Sequence, residues 1–366
     1  MTRTAPAAGF LHKAARLVLA AFLMCATQAW AGVDEYIPEY AAAHDFNGSI
    51  LVRKGDAVLY SGSFGLANFQ HRVRNTASTR YKIASITKSF TAVLVLQLVD
   101  EGKLQLDRPI ATYLPKYPGE GAARVTIHQL LNHTSGIGNL DRVTSAEEAI
   151  SRGIPQYQLP HDSDALLREY CSGKLVSEPG GKFSYNNADY IILGKIVEAL
   201  RGKSFAAVLQ ERILVPLEMH DTGMLQQHDI VENLADTYFR RADLARLVPD
   251  LPAYPENWYA AGAMYSTTAD LAKLADALFG GKLMGPASFE RMVKPGLDNY
   301  GYGLWSYETE VGGRKLRMVK RPGQIMGAQS QLYRFLDTPV TVIILSNTGT
   351  TDLDEFVAEI GKRAVE

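Results

Sequence analysis

The sequence predicts an α/β fold of the α+β type, an antiparallel sheet flanked by helices and joined to a mainly helical region. Three observations predict it. Strand-like runs stand near both ends of the chain, the stretch from Val125 to about Leu274 reads as helix and loop with little strand character, and a helical pattern precedes the first strand and follows the last. Strands early and strands late, with helices between them, imply one sheet assembled from both ends of the chain.

The elements follow in order. Asp34 to Phe46 reads as a short helix, broken by Asn47-Gly48. Ser49–Arg53 and Ala57–Gly62 form a hairpin around the tight turn Lys54-Gly55-Asp56. A helix begins at Ser85, runs through Val99 and ends near Glu101-Gly102-Lys103; a short turn with Pro109 near its start follows. Thr126 caps Ile127–Leu131, closed by the loop Asn132–Gly136. After the turn Pro179-Gly180-Gly181, Asn187 is expected to cap an amphipathic helix through Leu200; Ser204 opens the next, and Ser266–Asp270 another that runs to Leu278. Tyr302–Ser306, Lys315–Val319, Ser330–Phe335 and Val340–Leu345 fit four strands, and Asp352 to Val365 a closing helix.

Composition excludes several function classes. Lys+Arg is 38 and Asp+Glu 39, so the net charge of -1 gives no electrostatic case for nucleic acid or an acidic membrane surface. Arg314, Lys315, Arg317 and Lys320 make only a local basic strand, read as a solvated face. His44, His71 and His128 lack metal-ligand spacing, and neither an HExxH motif nor a phosphate-binding glycine loop is present, so no metal and no cofactor is expected.

The first 31 residues read as a signal peptide. Arg3, His12, Lys13 and Arg16 precede the apolar run Leu17–Met24, and Ala29-Trp30-Ala31 supplies a cleavage site. The run is too short to span a bilayer comfortably, so no membrane span is expected after cleavage and the destination is periplasmic or secreted. Cys25 leaves with the signal, and Cys171 alone cannot form an internal disulfide.

Ser85-Ile86-Thr87-Lys88 is the stretch that carries chemistry, and Ser85 is the one Ser in the chain followed three residues later by Lys. Residues three apart share a helix face, so Ser85 and Lys88 sit side by side in the first turn. A serine oxygen there has a proton acceptor beside it and a helix-start field that favours developing negative charge. Read plainly, Ser85 is a helix cap and Lys88 a solvated charge. His133 is an alternative base for Ser85 or Ser135, discounted because no Gly-x-Ser-x-Gly elbow is present and its loop looks structural.

Three separated pieces together resemble a known family. Ser85-Ile86-Thr87-Lys88, Tyr185-Asn186-Asn187 and Arg321-Pro322-Gly323 look like the three elements of the penicillin-recognising serine hydrolases, in the branch of class C β-lactamases, D,D-peptidases and β-lactamase-like esterases. Leu130–Ile137 and Ala260–Thr267 also resemble that branch. The resemblance covers nearly the whole of residues 32–366. It implies a β-lactamase/transpeptidase-like domain, with a sheet region at 32–115 and 275–366, a helical region at 116–274 and the site in the cleft between them. It implies Ser85 as nucleophile, Lys88 as the group that takes or relays its proton, and Tyr185 as the second proton carrier. Asn187 then orients Lys88 and the substrate carbonyl. Arg321 and Gly323 belong to the third element, and the backbone N–H groups of Ser85 and Gln324 form the oxyanion hole.

One departure bears on substrate. The family usually carries Lys-Thr-Gly, Lys-Ser-Gly or His-Ser-Gly where this chain has Arg321-Pro322-Gly323. Arg321 keeps a positive charge, but Pro322 removes a hydroxyl and a backbone N–H. In relatives that bind penicillins or D-alanyl peptides that hydroxyl helps hold the substrate carboxylate, although Arg321 could itself grip one. The expected activity is hydrolysis of an ester or amide of a small-molecule or peptide-like substrate through acyl-Ser85, with an uncharged or bulky acyl group first. A β-lactamase or D-alanyl peptidoglycan peptidase, and a non-catalytic cell-wall or peptide-binding relative, are the alternatives.

Overall fold

The computed structural model describes residues 32–143 and 145–366; the segment read as a signal peptide lies outside the described residues. Helix α1 (Val33–Ala43) leads into strands β1 (Gly48–Lys54) and β2 (Ala57–Phe64). The helices α2 (Thr87–Asp100), α3 (Asn187–Arg201) and α4 (Thr268–Phe279) follow. Strands β3 (Trp305–Val311), β4 (Arg314–Ile325), β5 (Ala328–Phe335) and β6 (Val340–Ser346), and helix α5 (Leu353–Val365), complete the chain.

The strands form one six-stranded antiparallel sheet in the order β3-β4-β5-β6-β1-β2, so its centre joins the two ends of the chain. Leu51 opposes Ile343 across that junction, and Ile50 opposes Ile344. Successive side chains on a strand point to opposite faces. Ile50, Val52, Val342 and Ile344 therefore pack under α1 and α5, whereas Leu51, Ile343 and Leu345 join the core of the helical side. All seven residues of β6 are buried, which is why its sequence is a continuous apolar run rather than an alternating one.

Helix α2 is apolar on all sides because it is buried on all sides: Thr87 through Leu98 are all covered. It lies against α3 and the short helix Tyr259–Gly262, and its first turn meets the sheet at β4. The Ser85–Lys88 motif thus sits where the central helix abuts the sheet.

The structure differs from expectation at three places. The stretch from Val125 to Leu274 has little strand, as expected, but its short strands form pairings that the sequence pattern does not predict: Met264–Ser266 pairs with Gly223-Met224 and with Tyr81-Lys82, which lies before the stretch, and Tyr238–Arg241 pairs with Arg246–Pro249. Tyr302–Leu304 is loop, and β3 begins only at Trp305. Gly303 takes φ +75 there, and a Cβ on it would stand 2.8 Å from the Lys88 carbonyl oxygen, so the loop is pressed against α2. Finally, Asn186, not Asn187, caps α3: its side chain accepts from Ala188 N.

Candidate active site

Ser85 lies in a single 3-10 turn, Ala84–Ile86, that leads into α2. Ala84 is held at φ +47, a conformation that costs a non-glycine residue about 1 kcal/mol. Neighbours over-determine it: Ile83 N donates to Met264 O at 2.9 Å, Thr87 Oγ1 to Ala84 O at 2.7 Å and Ser330 Oγ to Ile83 O at 2.8 Å. Ser85 emerges partly exposed from this buried frame.

Lys88 is fully buried, and its ammonium reaches three oxygens: Ser85 Oγ at 3.1 Å, Asn187 Oδ1 at 2.6 Å and the Ala261 carbonyl at 2.8 Å. Burial pushes its pKa down to about 8; Tyr185 opposes that shift and Arg321 adds to it. The Lys88 side chain is therefore able to exist as a neutral amine beside Ser85 in the neutral-to-alkaline range.

Tyr185 approaches from the loop before α3, its hydroxyl 2.9 Å from Ser85 Oγ. Burial alone would raise the phenol's pKa, but the charges of Arg321 and Lys88 outweigh it and bring it below the ordinary value. Behind Tyr185 lies His133, fully buried, its ring 4.4 Å from the tyrosine ring and its Nδ1 2.9 Å from Asp189. Burial holds this imidazole neutral, and its partner is Asp189 rather than either serine, so it buttresses Tyr185. Asn187, the first residue of α3, gives Lys88 its oxygen and donates from Nδ2 to Asp141 at 2.7 Å.

Strand β4 supplies the opposite wall. Arg321 is 1% exposed and spends its guanidinium inside the protein: Nε donates to Ser85 O at 2.6 Å, Nη1 to Tyr300 OH at 3.0 Å and Nη2 to Tyr185 OH at 2.5 Å. Nε, Nη1 and Nη2 are thus each committed to a partner inside the protein, which disfavours the direct grip on a substrate carboxylate that Arg321 could make. Pro322 fits because the β3–β4 ladder ends at Trp305↔Lys320, leaving β4 without a partner on that side, where a missing N–H breaks no ladder bond. Gly323 is required by close approach: a Cβ would fall 2.4 Å from Ile83 O and 3.0 Å from Ser85 N. Gln324 follows it on the cleft wall.

The cleft has two arms that share Gln324 and Gly349. One, about 640 Å³, holds Ser85, Tyr185, Trp305 and Pro322, with Asp352 and Asp354 at its far wall. Arg321 is the one cationic residue among the described residues lining it. The other, about 500 Å³, is bounded by Asn187, Asp141 and Tyr157 and by the apolar Val143, Phe239, Trp258 and Met326. Among the described residues no group of three or more His, Cys, Asp or Glu is placed to hold a metal ion, and no helix is long and apolar enough to cross a membrane.

All seven residues singled out from the sequence border this one centre. Sequence reasoning missed Asp141, Tyr157 and Tyr300, which hold Asn187 and Arg321 in place. Asp141 follows the Thr134-Ser135-Gly136 loop by five residues, a position that no spacing rule marks.

The Beta-lactamase family model matches residues 33–365. The chain is 28% identical over 330 residues to Penicillin-binding protein 4* of Bacillus subtilis (strain 168), covering 83% of this chain and 68% of that protein. It is 26% identical over 288 residues to the Teichoic acid D-alanine hydrolase of Staphylococcus aureus, covering 75% of this chain and 66% of the relative. This chain thus spans about two thirds of the length of those curated relatives. Among solved structures, the penicillin binding protein from Bacillus halodurans superposes with a TM-score of 0.76 at 27% identity, covering 88% of this chain and 98% of that one. With a family model matching from end to end of the described chain, and a mixed fold of helices on an antiparallel sheet shared with that solved structure, the protein belongs to the beta-lactamase family of penicillin-recognising serine hydrolases.

Proposed function

We infer that this hydrolase cleaves an ester or amide through an acyl-Ser85 intermediate, and that its preferred leaving group carries no carboxylate. Neutral Lys88 takes the Ser85 proton as Oγ attacks the carbonyl carbon. The backbone N–H groups of Ser85 and Gln324 receive the oxyanion. When the tetrahedral intermediate collapses, the carbon–heteroatom bond breaks and Tyr185 gives its proton to the leaving group. The Tyr185 phenolate then takes a proton from water; the hydroxide attacks the acyl carbon, the product leaves as a carboxylic acid, and Ser85 recovers its proton from Lys88.

The observation that carries the leaving-group preference is the engagement of Arg321. It is buried against Ser85 O, Tyr185 and Tyr300, and Pro322 beside it offers neither hydroxyl nor N–H. Tyr185 opens onto the arm that ends at Asp352 and Asp354, so the leaving group departs toward carboxylates. The nearby Lys320 ammonium is already paired with Asp354 at 3.1 Å. A carboxylate on the leaving side, as in D-alanyl-D-alanine peptides or opened β-lactams, meets no uncommitted cation among the described residues lining that arm, and the Asp352 carboxylate stands beside it. The similarity to a teichoic acid D-alanine hydrolase supports a simple acyl transfer to water. The signal-like segment 1–31 supports a place of action outside the cytoplasm, periplasmic or secreted, as a single domain spanning 32–366.

The test is a pair of substrate series with one acyl group and different leaving groups. Neutral p-nitrophenyl esters and primary amides are expected to turn over at least tenfold faster, by kcat/KM, than the matched D-alanine amide bearing a free carboxylate. Equal or faster release of D-alanine, or saturable cephalosporin opening, would overturn the preference. A folded protein that fluorophosphonate fails to label would overturn the hydrolytic role of Ser85 and leave the cleft as a binding site.

A further inference from the structure

We propose that Asp141 is a positioning residue for the Ser85 centre: it fixes the Asn187 amide with its oxygen toward Lys88, and it sets a negative charge behind that amide that governs when Lys88 gives up its proton. The proposal rests on the reading of Lys88 as the base.

The oxygen and nitrogen ends of a side-chain amide have nearly the same shape, so partners decide which way it faces. Asp141 decides it here. Both of its carboxylate oxygens accept, so Asn187 turns Nδ2 toward Asp141 Oδ2 at 2.7 Å and leaves Oδ1 for Lys88 at 2.6 Å. The reverse orientation would set an NH₂ against the ammonium. The second carboxylate oxygen is held as well: Tyr157 OH donates to Asp141 Oδ1 at 2.5 Å, and the Tyr157 ring is stacked on Trp258 at 3.9 Å and 5°.

The loop carrying Asp141 is itself bound to the motif it serves. Asp141 N donates to Asn139 Oδ1 at 2.8 Å, and Asn139 Nδ2 donates to the Tyr185 carbonyl at 3.1 Å. Leu140 N donates to Asn186 Oδ1 at 3.4 Å, and Asn186 Nδ2 returns to Ile137 O at 3.0 Å. The segment 137–141 therefore brackets Tyr185-Asn186-Asn187 residue by residue, and Asp141 is the one member of the bracket whose charge reaches the catalytic centre.

The electrostatic half follows from what else faces Lys88. The rings of Tyr185 and Tyr190 stand 4.9 and 5.6 Å from its nitrogen. Burial and Arg321 oppose its charge. His133 and Asp189 also face it, and burial favours the uncharged form of each. Asp141 favours the ammonium, reaching it through the Asn187 dipole. Its negative charge thus counters the cation on the far side of Lys88.

The experiment reads Lys88 directly. Full-length protein carrying 13Cε-lysine is titrated by NMR, the Lys88 signal being assigned from its loss in Lys88→Arg, and the pH profile of ester hydrolysis is recorded alongside. Two variants separate charge from scaffolding. Asp141→Asn keeps the shape and an acceptor for Asn187 but removes the charge; Tyr157→Phe removes a hydrogen bond to Asp141 and keeps both the ring stack and the charge. The expected result is that the Lys88 midpoint falls by roughly half a pH unit or more in Asp141→Asn, that the acid limb of hydrolysis moves down with it, and that neither falls in Tyr157→Phe. An unchanged midpoint in Asp141→Asn, or equal falls in both variants, would overturn the proposal. A Lys88 midpoint that shifts while hydrolysis shows no limb at that pH would instead remove Lys88 as the base and leave the assignment of Asp141 standing.

Discussion

Arg321 Nη2 donates to the phenol oxygen of Tyr185 across 2.5 Å, and the same guanidinium reaches the backbone oxygen of Ser85 at 2.6 Å. One permanently charged side chain therefore ties the Ser85 turn to Tyr185. Removing it acts on Tyr185 with a definite sign. A phenolate beside a cation is favoured, so taking the cation away raises the phenol's pKa toward and above its ordinary value. Arg321→Gln is expected to raise the Tyr185 midpoint, read by ultraviolet difference titration of wild type and variant, and to slow deacylation by roughly 100-fold. An unaltered titration would mean that Lys88 alone lowers Tyr185.

On the proposed mechanism the Lys88 amine is expected to set the acid side of the rate profile. Its folded pKa of about 8 lies below the ordinary lysine value because the ammonium is buried, and only the neutral amine accepts the Ser85 proton. Acylation is therefore expected to rise with pH, about tenfold per unit below the limb, and to level off above pH 8 until other groups titrate. The check is the pH dependence of fluorophosphonate labelling, by intact mass, of the wild type and of Lys88→Ala. A flat profile from pH 5 to 9 in the wild type would remove Lys88 as the base.

The sheet was legible in the sequence because its central strands are long and unmistakably apolar. Val340–Leu345 is buried on both faces and reads as such, and the early hairpin carries its own turn. The pairings Tyr81↔Ser266 and Gly223↔Tyr265 were not legible. Two- and three-residue strands have no periodicity of their own and exist only because tertiary folding brings distant segments together. The same distinction runs through the site. Ser85 and Lys88 are three residues apart on one turn, so local geometry places them; Tyr185 and Arg321 came from the resemblance. Asp141 and Tyr300 touch the centre only through contacts made by the fold. The displaced cap shows how fine the limit is. Either of two adjacent asparagines suits a helix start, and the structure uses Asn186 as the cap and frees Asn187 for Lys88.

Gly323 tests how closely β4 must lie against the nucleophile. A Cβ at this position would stand 2.3 Å from Ser330 Oγ and 2.4 Å from Ile83 O, and the backbone oxygen cannot rotate away. Gly323→Ala is expected to push β4 outward, destabilise the protein by about 1–3 kcal/mol and lower kcat at least tenfold by spreading the Ser85 and Gln324 N–H groups. Thermal unfolding and single-turnover acylation check the two effects. A variant with wild-type kcat would show that β4 does not contribute to the oxyanion hole.

Pro322 is the position at which specificity is open to redesign. β4 pairs with β5 there but has no partner on its β3 side, so threonine is expected to fit the backbone and to restore an N–H together with a hydroxyl in the leaving-group arm. Each new hydrogen bond to a substrate carboxylate is worth about 1.5–3 kcal/mol net, or at least roughly tenfold in kcat/KM before opposing charges are counted. Asp352 continues to oppose that carboxylate, whereas Asp354 is paired with Lys320, so the gain is expected to be limited. Pro322→Thr should therefore raise kcat/KM for a D-alanine leaving group about fivefold while neutral esters change less than twofold, and Pro322→Thr combined with Asp352→Asn should raise it further. Measured on matched substrates, an equal change for both leaving groups would show that the proline shapes the cleft without selecting the leaving group.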